Sequence, residues 1–155
     1  MKIQITSTAF AEGQPIPGRH AFNNQNLSPA LSWLGVPPAA KSLALICDDP
    51  DAPAGVWVHW VLYDLPPATT NLAEGLAQTP ELPGGAKQGT NDYKRLGYGG
   101  PCPPPGKAHR YFFKLYALDA KPALPPGLTK NELLKAMEGH VLAEGQLMGT
   151  YQRTK

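Results

Sequence analysis

The chain of 155 residues is predicted to be mainly β with a small amount of helix, and three features of its sequence predict that class. It contains 16 glycines and 18 prolines, nearly twice the usual combined share of roughly 12%. These residues separate short apolar runs and do not gather in one tract, so they indicate turns between strands. Helix start signals are confined to one stretch, which leaves most of the ordered chain to strands.

Four segments predict the strands in order along the chain. Residues 2–6 alternate polar and apolar side chains, and residues 43–47 form the short apolar run typical of a buried strand. Residues 57–65 and 111–118 are longer, and both faces of each are largely apolar. Strict alternation in residues 57–65 would place the odd-numbered residues, His59 among them, on one face and the even-numbered residues on the other.

One helix is predicted near the end of the chain. Thr129 and Glu132 have the spacing of a capping box, which marks the start of a helix. The apolar residues that follow at near-helical spacing are Leu133, Leu134, Met137 and Val141. We expect this helix to lie against the sheet.

Composition excludes several classes of function. The length predicts a single domain over residues 1–155. A net charge of +2 with dispersed basic residues disfavours nucleic acid as a partner, and no apolar run approaches the roughly 18 residues that predict a membrane span. The amino terminus lacks the apolar core of a signal peptide, so we expect a cytoplasmic protein. Cys47 and Cys102 form neither a disulfide framework nor a CxxC pair, and we expect no cofactor.

The first candidate site segment is DDPDAP at residues 48–53, between the run at 43–47 and the segment that carries His59. Its prolines restrict the backbone, so the carboxylates of Asp49 and Asp51 are held with little freedom. In an extended segment both would project to the same side, where repulsion raises one pKa unless a cation compensates. We therefore expect a positive group nearby, although an Asp-Pro turn that only links two strands fits the same residues.

The second candidate site segment is GGPCPPPG at residues 99–106, followed by His109 and Tyr111 at the start of an apolar strand. Glycine leaves backbone N–H groups unscreened, so this loop is suited to hold an anion. His109 and Tyr111 have the same parity and should face the same side. A lone histidine on an apolar strand is more often a buried core residue than a ligand contact, but the joint occurrence of His59 and His109 favours a site.

Together the segments DDPDAPAGVWVHW and GYGGPCPPPGKAHRYFFKLYAL resemble the bacterial, Raf-kinase-inhibitor-like branch of the phosphatidylethanolamine-binding protein family. Further agreement lies in NLSPALSW at 26–33, GTNDY at 89–93 and AEGQLMGTYQR at 143–153, so the resemblance covers nearly the whole chain. It implies a β-sandwich of antiparallel sheets with a few short peripheral helices. It also implies a small surface pocket for phosphate, acetate or phosphoethanolamine-like anions, and a homodimer is compatible with it.

By motif position, the resemblance assigns eight residues to ligand binding. These residues are Asp49, Asp51, Pro53, His59, Gly100, Pro101, His109 and Tyr111. Our hypothesis is that the imidazole N–H groups, the Tyr111 hydroxyl and a backbone N–H near Gly100 donate to the anion. The carboxylates would orient the imidazoles and favour their protonated form, so affinity should fall as pH rises.

Three other functions fit parts of the same pattern. The histidines, aspartates and tyrosine would suit acid-base catalysis, but no nucleophile can be assigned, so we expect a protein that is not an enzyme. Two histidines with Asp49 would suit a metal, although no metal-binding spacing supports it. The main alternative is a protein-interaction module, an inhibitor of a kinase or protease that receives a phosphorylated side chain at the pocket rim.

Overall fold

The computed structural model describes residues 2–153 and folds them into eight strands, one α-helix and one short 3₁₀ helix. The strands are β1 (Gln4–Thr6), β2 (Leu31–Leu34), β3 (Ser42–Asp49), β4 (Trp57–Leu65), β5 (Asn71–Leu72), β6 (Lys87–Gln88), β7 (His109–Leu118) and β8 (Val141–Tyr151). The 3₁₀ helix is Gly18–His20, and α1 is Lys130–Met137. The mainly β prediction is confirmed. The predicted domain of residues 1–155 includes Met1, Thr154 and Lys155, which lie outside the described residues.

The strands form two antiparallel sheets. The larger sheet has the order β6-β4-β3-β7-β8, and the smaller has the order β1-β2-β5. All eight residues of the central strand β3 are buried, because it pairs on both edges and both faces of the sheet are covered. The sheets meet where β1 lies beside β8, and the Ile3 N–H there donates to the Glu144 carbonyl at 3.1 Å.

Apolar side chains fill both faces of the larger sheet. One face, which includes Leu45 and Phe113, packs against Trp33 of the smaller sheet in the main core. The other face is covered by α1 through Leu133 and Met137. The predicted capping box is present, since the Thr129 side chain accepts a hydrogen bond from the Glu132 N–H and the Glu132 side chain accepts one from the Thr129 N–H.

The end of the chain differs from the helical pattern predicted through Val141. The helix ends at Met137, Gly139 turns the chain with a φ of +81°, and Val141 begins β8. This long strand is absent from the predicted set because glycines interrupt its alternation. A Cβ at Gly145 would collide with the Ile3 backbone, so close packing of the two sheets requires glycine at this position. Glycine also weakens the sequence pattern by which a strand is predicted.

A β-bulge in β4 breaks the alternation expected for residues 57–65. Cys47 pairs with Trp60, but the next residue, Asp48, pairs with Val58, so His59 is the extra residue. Val58 therefore joins Val61 on the helix-covered face, where strict alternation would have separated them. The bulge re-aims His59 towards the end of the sheet where β3 stops and β7 starts.

Candidate ligand-binding site

A cavity of about 180 Å³ lies at the edge of the larger sheet where β3 ends and β4 and β7 begin. Its wall combines polar and aromatic side chains from the three strands with prolines and the Tyr93 ring from the loops. The lining residues are Asp49, Ala52, Pro53, Trp57, His59, Tyr93, Cys102, Pro103, Pro104, His109 and Tyr111. Five of the eight residues assigned to ligand binding are among them.

Asp49 ends β3 and orients its neighbours. Its Oδ2 accepts a hydrogen bond from Nδ1 of His109 at 2.7 Å, and its Oδ1 accepts one from the backbone N–H of Asp51 at 2.7 Å. Both carboxylate oxygens are thus engaged within the protein. Because Nδ1 of His109 carries the proton given to Asp49, its Nε2 is the nitrogen left for a ligand, and it donates only when the ring is doubly protonated.

Asp51 does not line the cavity, contrary to its assignment as a ligand contact. Its carboxylate accepts hydrogen bonds from Nη2 of Arg110 at 2.8 Å, Nε at 2.9 Å and the backbone N–H at 3.0 Å. The Arg110 guanidinium lowers the pKa of Asp51 to about 2, so repulsion from Asp49 does not raise this pKa. Arg110 is therefore the positive group that the sequence led us to expect near the two carboxylates. This clasp holds the loop after β3 against the start of β7, and Ala52 and Pro53 form a cavity wall on that loop.

His59 is buried and its tautomer is set by the backbone. Its Nδ1 lies 2.6 Å from the Gly99 carbonyl oxygen, and since a carbonyl only accepts, Nδ1 is the donor. Burial lowers the pKa of His59 below its ordinary value, so the neutral ring has an unprotonated Nε2. A neutral ring with its proton on Nδ1 has an acceptor at Nε2, whereas the hypothesis of two donating imidazoles requires a donor there.

Tyr111 brings an unpaired donor to the site. Its side chain is 1% exposed, and its hydroxyl has no hydrogen-bond partner among the described residues. Its ring meets the His59 ring edge-on, with centroids 5.1 Å apart. Buried hydroxyls without partners are uncommon because they forfeit their bonds to water. Tyr111 lines the cavity, so its hydroxyl is a donor at this site that no described residue engages.

The glycine-rich loop supports the cavity from behind, contrary to the expectation that its N–H groups hold an anion. The Gly99 N–H donates to the His59 carbonyl at 2.8 Å, and the Gly100 N–H donates to Oδ1 of Asn26 at 2.7 Å. A Cβ at Gly100 would collide with the His20 carbonyl oxygen. Gly100 and the buried Pro101, both assigned to ligand binding, lie outside the lining set because their backbone is packed on the segment around residues 20–26.

Tyr93 is the main lining residue that the motif assignment omitted. Its hydroxyl donates to the Gly100 carbonyl at 2.7 Å, and its ring stacks on Phe22 with centroids 3.9 Å apart. The preceding Asp92 fixes the bulge, since its carboxylate accepts from the Val58 N–H at 2.7 Å and its own N–H donates to the Val58 carbonyl. The agreement of GTNDY with the family was the sequence signal for this segment.

Neither a cluster of metal-ligating side chains nor a membrane-spanning helix is found among residues 2–153. No group of three or more histidine, cysteine, aspartate or glutamate side chains within residues 2–153 is arranged to hold a metal ion. Likewise, none of the helices in that part has the length and apolar character required to cross a bilayer.

Comparison with known proteins identifies the family. The family model for phosphatidylethanolamine-binding protein matches residues 6–152. A relative named UPF0098 protein from Methanothermobacter thermautotrophicus is 54% identical, and the alignment covers 97% of this chain and 99% of that protein. Another UPF0098 protein, from Chlamydia muridarum, is 49% identical over 97% of this chain and 99% of the relative.

Two solved structures share the fold. The crystal structure of a putative phosphatidylethanolamine-binding protein homologue from Chlamydia trachomatis has a TM-score of 0.89 and 44% identity, with 98% of each chain covered. Escherichia coli YbcL, described as a new member of the mammalian family, has a TM-score of 0.90 and 32% identity, with 99% of each chain covered. Two antiparallel sheets with a pocket at one end define a ligand-binding fold. The chain belongs to the phosphatidylethanolamine-binding protein family.

Proposed function

We propose that the cavity binds a small anion of the phosphate or carboxylate type and that recognition, not turnover, is its task. The observation that supports this most directly is the buried hydroxyl of Tyr111, which has no partner among the described residues and belongs to a lining residue. His109 lines the same cavity, held by Asp49 at 2.7 Å. An acceptor-rich anion would satisfy the hydroxyl and a doubly protonated His109 together.

The size of the cavity favours a ligand of a few heavy atoms. Its volume of about 180 Å³ is below the roughly 300–1,000 Å³ of sites for drug-sized molecules. Inorganic phosphate, acetate and the phosphoethanolamine headgroup suit this volume. The apolar residues around the polar centre, Trp57, Pro53 and Pro104 among them, would exclude water and strengthen the hydrogen bonds made inside.

Anion affinity should fall with rising pH. A doubly protonated His109 offers the anion an N–H at Nε2 and a positive charge, whereas the singly protonated ring keeps its hydrogen on Nδ1 towards Asp49 and offers only an acceptor at Nε2. His59 does not replace that charge, because burial lowers its pKa. Burial first, and then the charge of Asp49, raises the pKa of Tyr111, so its hydroxyl keeps its proton throughout the neutral range.

The test is an NMR titration of phosphate, acetate and phosphoethanolamine into the wild-type protein and two histidine variants. His109→Ala should abolish saturable shifts at His59 and Tyr111. His140→Ala is the matched control, because Nδ1 of His140 also lies 2.8 Å from a carboxylate, that of Asp119, but on an exposed surface outside the lining set. Equal binding by both variants, or an absence of saturable shifts in the wild-type protein, would show that the cavity is not an anion site.

The second candidate is a protein-interaction module, an inhibitor of a kinase or protease whose partner presents the anion as a phosphorylated side chain. The observation that favours it is an exposed apolar residue, Val56, which is 52% exposed and directly precedes the lining residue Trp57. A pull-down with and without added phosphate tests it. A partner that is displaced by phosphate and is not captured by His109→Ala would support this function. A partner captured equally with phosphate present and by His109→Ala would bind outside the cavity.

A further inference from the structure

Cys102 places a thiol in the wall of the cavity. It is partly exposed and lines the cavity together with Pro103 and Pro104. The prolines on either side of it, Pro101 and Pro103, are buried, and the fixed φ of proline restricts the backbone that carries the thiol. The Pro101 carbonyl also accepts a hydrogen bond from the Phe22 N–H at 2.9 Å. The thiol is therefore held in the cavity wall by an anchored segment while it remains open to small molecules.

A cation lies beside this sulfur. Nη1 of Arg153 is 3.9 Å from Sγ of Cys102, which is the distance of a weak hydrogen bond to sulfur. A neighbouring guanidinium favours the thiolate, the form of cysteine that acts as a nucleophile. The other cysteine, Cys47, is 1% exposed within the main core, and burial raises the pKa of its thiol. The chain therefore has one cysteine suited to reaction and one that serves as an internal control.

The space beside the thiol also contains a polar group that is available to a small molecule. The Tyr111 hydroxyl is buried, belongs to a lining residue and has no partner among the described residues. Tyr93 lines the same cavity, and the pKa of its hydroxyl is raised by burial first and then by the charge of Cys102. This electrostatic effect places the sulfur near the aromatic wall. A group attached to the sulfur would therefore enter the space that a ligand needs.

We propose that Cys102, activated by Arg153, is a site of reversible modification by low-molecular-weight disulfides and that the attached group closes the cavity. The thiolate attacks one sulfur of the disulfide, a new S–S bond forms, and the old S–S bond breaks to release the other half as a thiolate. Cys102 is oxidised and the released half is reduced, and the proton lost by the thiol returns to that half through solvent. An attached group that extends into a cavity of about 180 Å³ leaves too little space for an anion beside it. The closure rests on the proposed anion-binding function.

The experiment is incubation of the wild-type protein with bis(2-hydroxyethyl) disulfide, which is small and leaves a neutral group, so that any change in anion affinity comes from lost space. Peptide mapping by mass spectrometry should find a single adduct, on Cys102 and not on Cys47. Calorimetric titration should then show loss of phosphate binding, and dithiothreitol should restore it. An unmodified Cys102, or equal modification of both cysteines, would overturn the site. An adduct that leaves phosphate affinity unchanged would overturn the closure.

Matched variants separate the thiol from the cation that activates it. Cys102→Ser should form no adduct, and its phosphate affinity should be the same with and without the disulfide. Arg153→Gln removes the guanidinium beside the sulfur, so adduct formation should slow several-fold at neutral pH. Arg19→Gln is the control, because the Arg19 guanidinium bonds to Glu74 at 2.9 Å on the surface, and its rate should equal that of the wild-type protein. Equal rates in Arg153→Gln and the wild-type protein would overturn activation by Arg153.

A second measurement on the wild-type protein does not depend on phosphate. Modification by bis(2-hydroxyethyl) disulfide should shift the ring resonances of Tyr93 and Tyr111 in NMR spectra, and dithiothreitol should return them to their first positions. If phosphate fails to bind the reduced protein, the proposed function is wrong, while these shifts still decide whether the group on Cys102 enters the cavity. Unchanged ring resonances in a fully modified protein would show that the group extends into solvent and would refute the inference.

Discussion

Replacing Tyr111 by phenylalanine removes a single oxygen atom, and the surroundings of that atom predict opposite effects on stability and on binding. The hydroxyl is buried and has no partner among the described residues. A buried polar group left unsatisfied costs about 1–3 kcal/mol. Tyr111→Phe should therefore raise the free energy of unfolding, by up to that amount, in the absence of ligand.

The same change should weaken anion binding. A hydrogen bond to a charged partner contributes about 1.5–3 kcal/mol, so loss of the Tyr111 donor should raise the Kd for phosphate at least about tenfold. The stability of the wild-type protein should rise with phosphate concentration, as expected for a ligand that binds only the folded state. The variant should lose most of that dependence.

Tyr63→Phe is the matched control for the assay by urea denaturation in phosphate-free buffer. Tyr63 is equally buried, at 1% exposed, but its hydroxyl donates to the Pro125 carbonyl at 2.7 Å and accepts from the Leu128 N–H at 3.1 Å. Its loss should lower the free energy of unfolding by about 1–3 kcal/mol and leave phosphate binding unchanged. If Tyr111→Phe destabilised the protein as much as Tyr63→Phe, the Tyr111 hydroxyl would have a partner in the folded state and the reasoning would fail.

Three further predictions concern the walls of the cavity. NMR titration of Asp51 should give a pKa of about 2 against an ordinary 3.8, so the stability contributed by its contact with Arg110 is present above pH 3.8 and is lost as pH falls through 2. Arg110→Gln should return that pKa towards the ordinary value, and an unchanged pKa would exclude the clasp. Alkylation of Cys102, a partly exposed lining residue, should slow when phosphate is bound, with the second, fully buried cysteine as an internal control; equal rates with and without phosphate would place the anion elsewhere. Gly100→Ala should destabilise the fold severely, since its Cβ would collide with the His20 carbonyl, and a variant that melts within 2 °C of the wild-type protein, about 1 kcal/mol or less at this chain length, would contradict that packing.

The long strands could be predicted locally because burial on both faces leaves an uninterrupted apolar run. This holds for β3 and β4, while β7 alternates buried and partly exposed residues over most of its length. The strands β2, β5 and β6 contain only two to four residues each and are too short to show a period. The strand β8 is long, but close approach of the second sheet requires glycine at Gly145. Its pattern is weakened by a contact with residues at the opposite end of the chain.

The sequence by itself determined the mainly β class, the capped helix and the two loops that meet at the site, because proline, glycine and apolar runs act on the backbone next to them. It also determined that Asp49, Pro53, His59, His109 and Tyr111 belong to segments able to build a pocket. All five line the cavity.

Only the tertiary structure decided which polar groups remain free for a ligand. Asp51 is taken by Arg110, 59 residues away, and the Gly100 N–H is taken by Asn26, 74 residues away. The bulge that aims His59 depends on strand register and on Asp92, 34 residues from the N–H that it holds. Hydrogen-bond partners of this kind are set by the packing of distant segments, so the spacing of a motif cannot reveal whether its donors face a ligand or the protein.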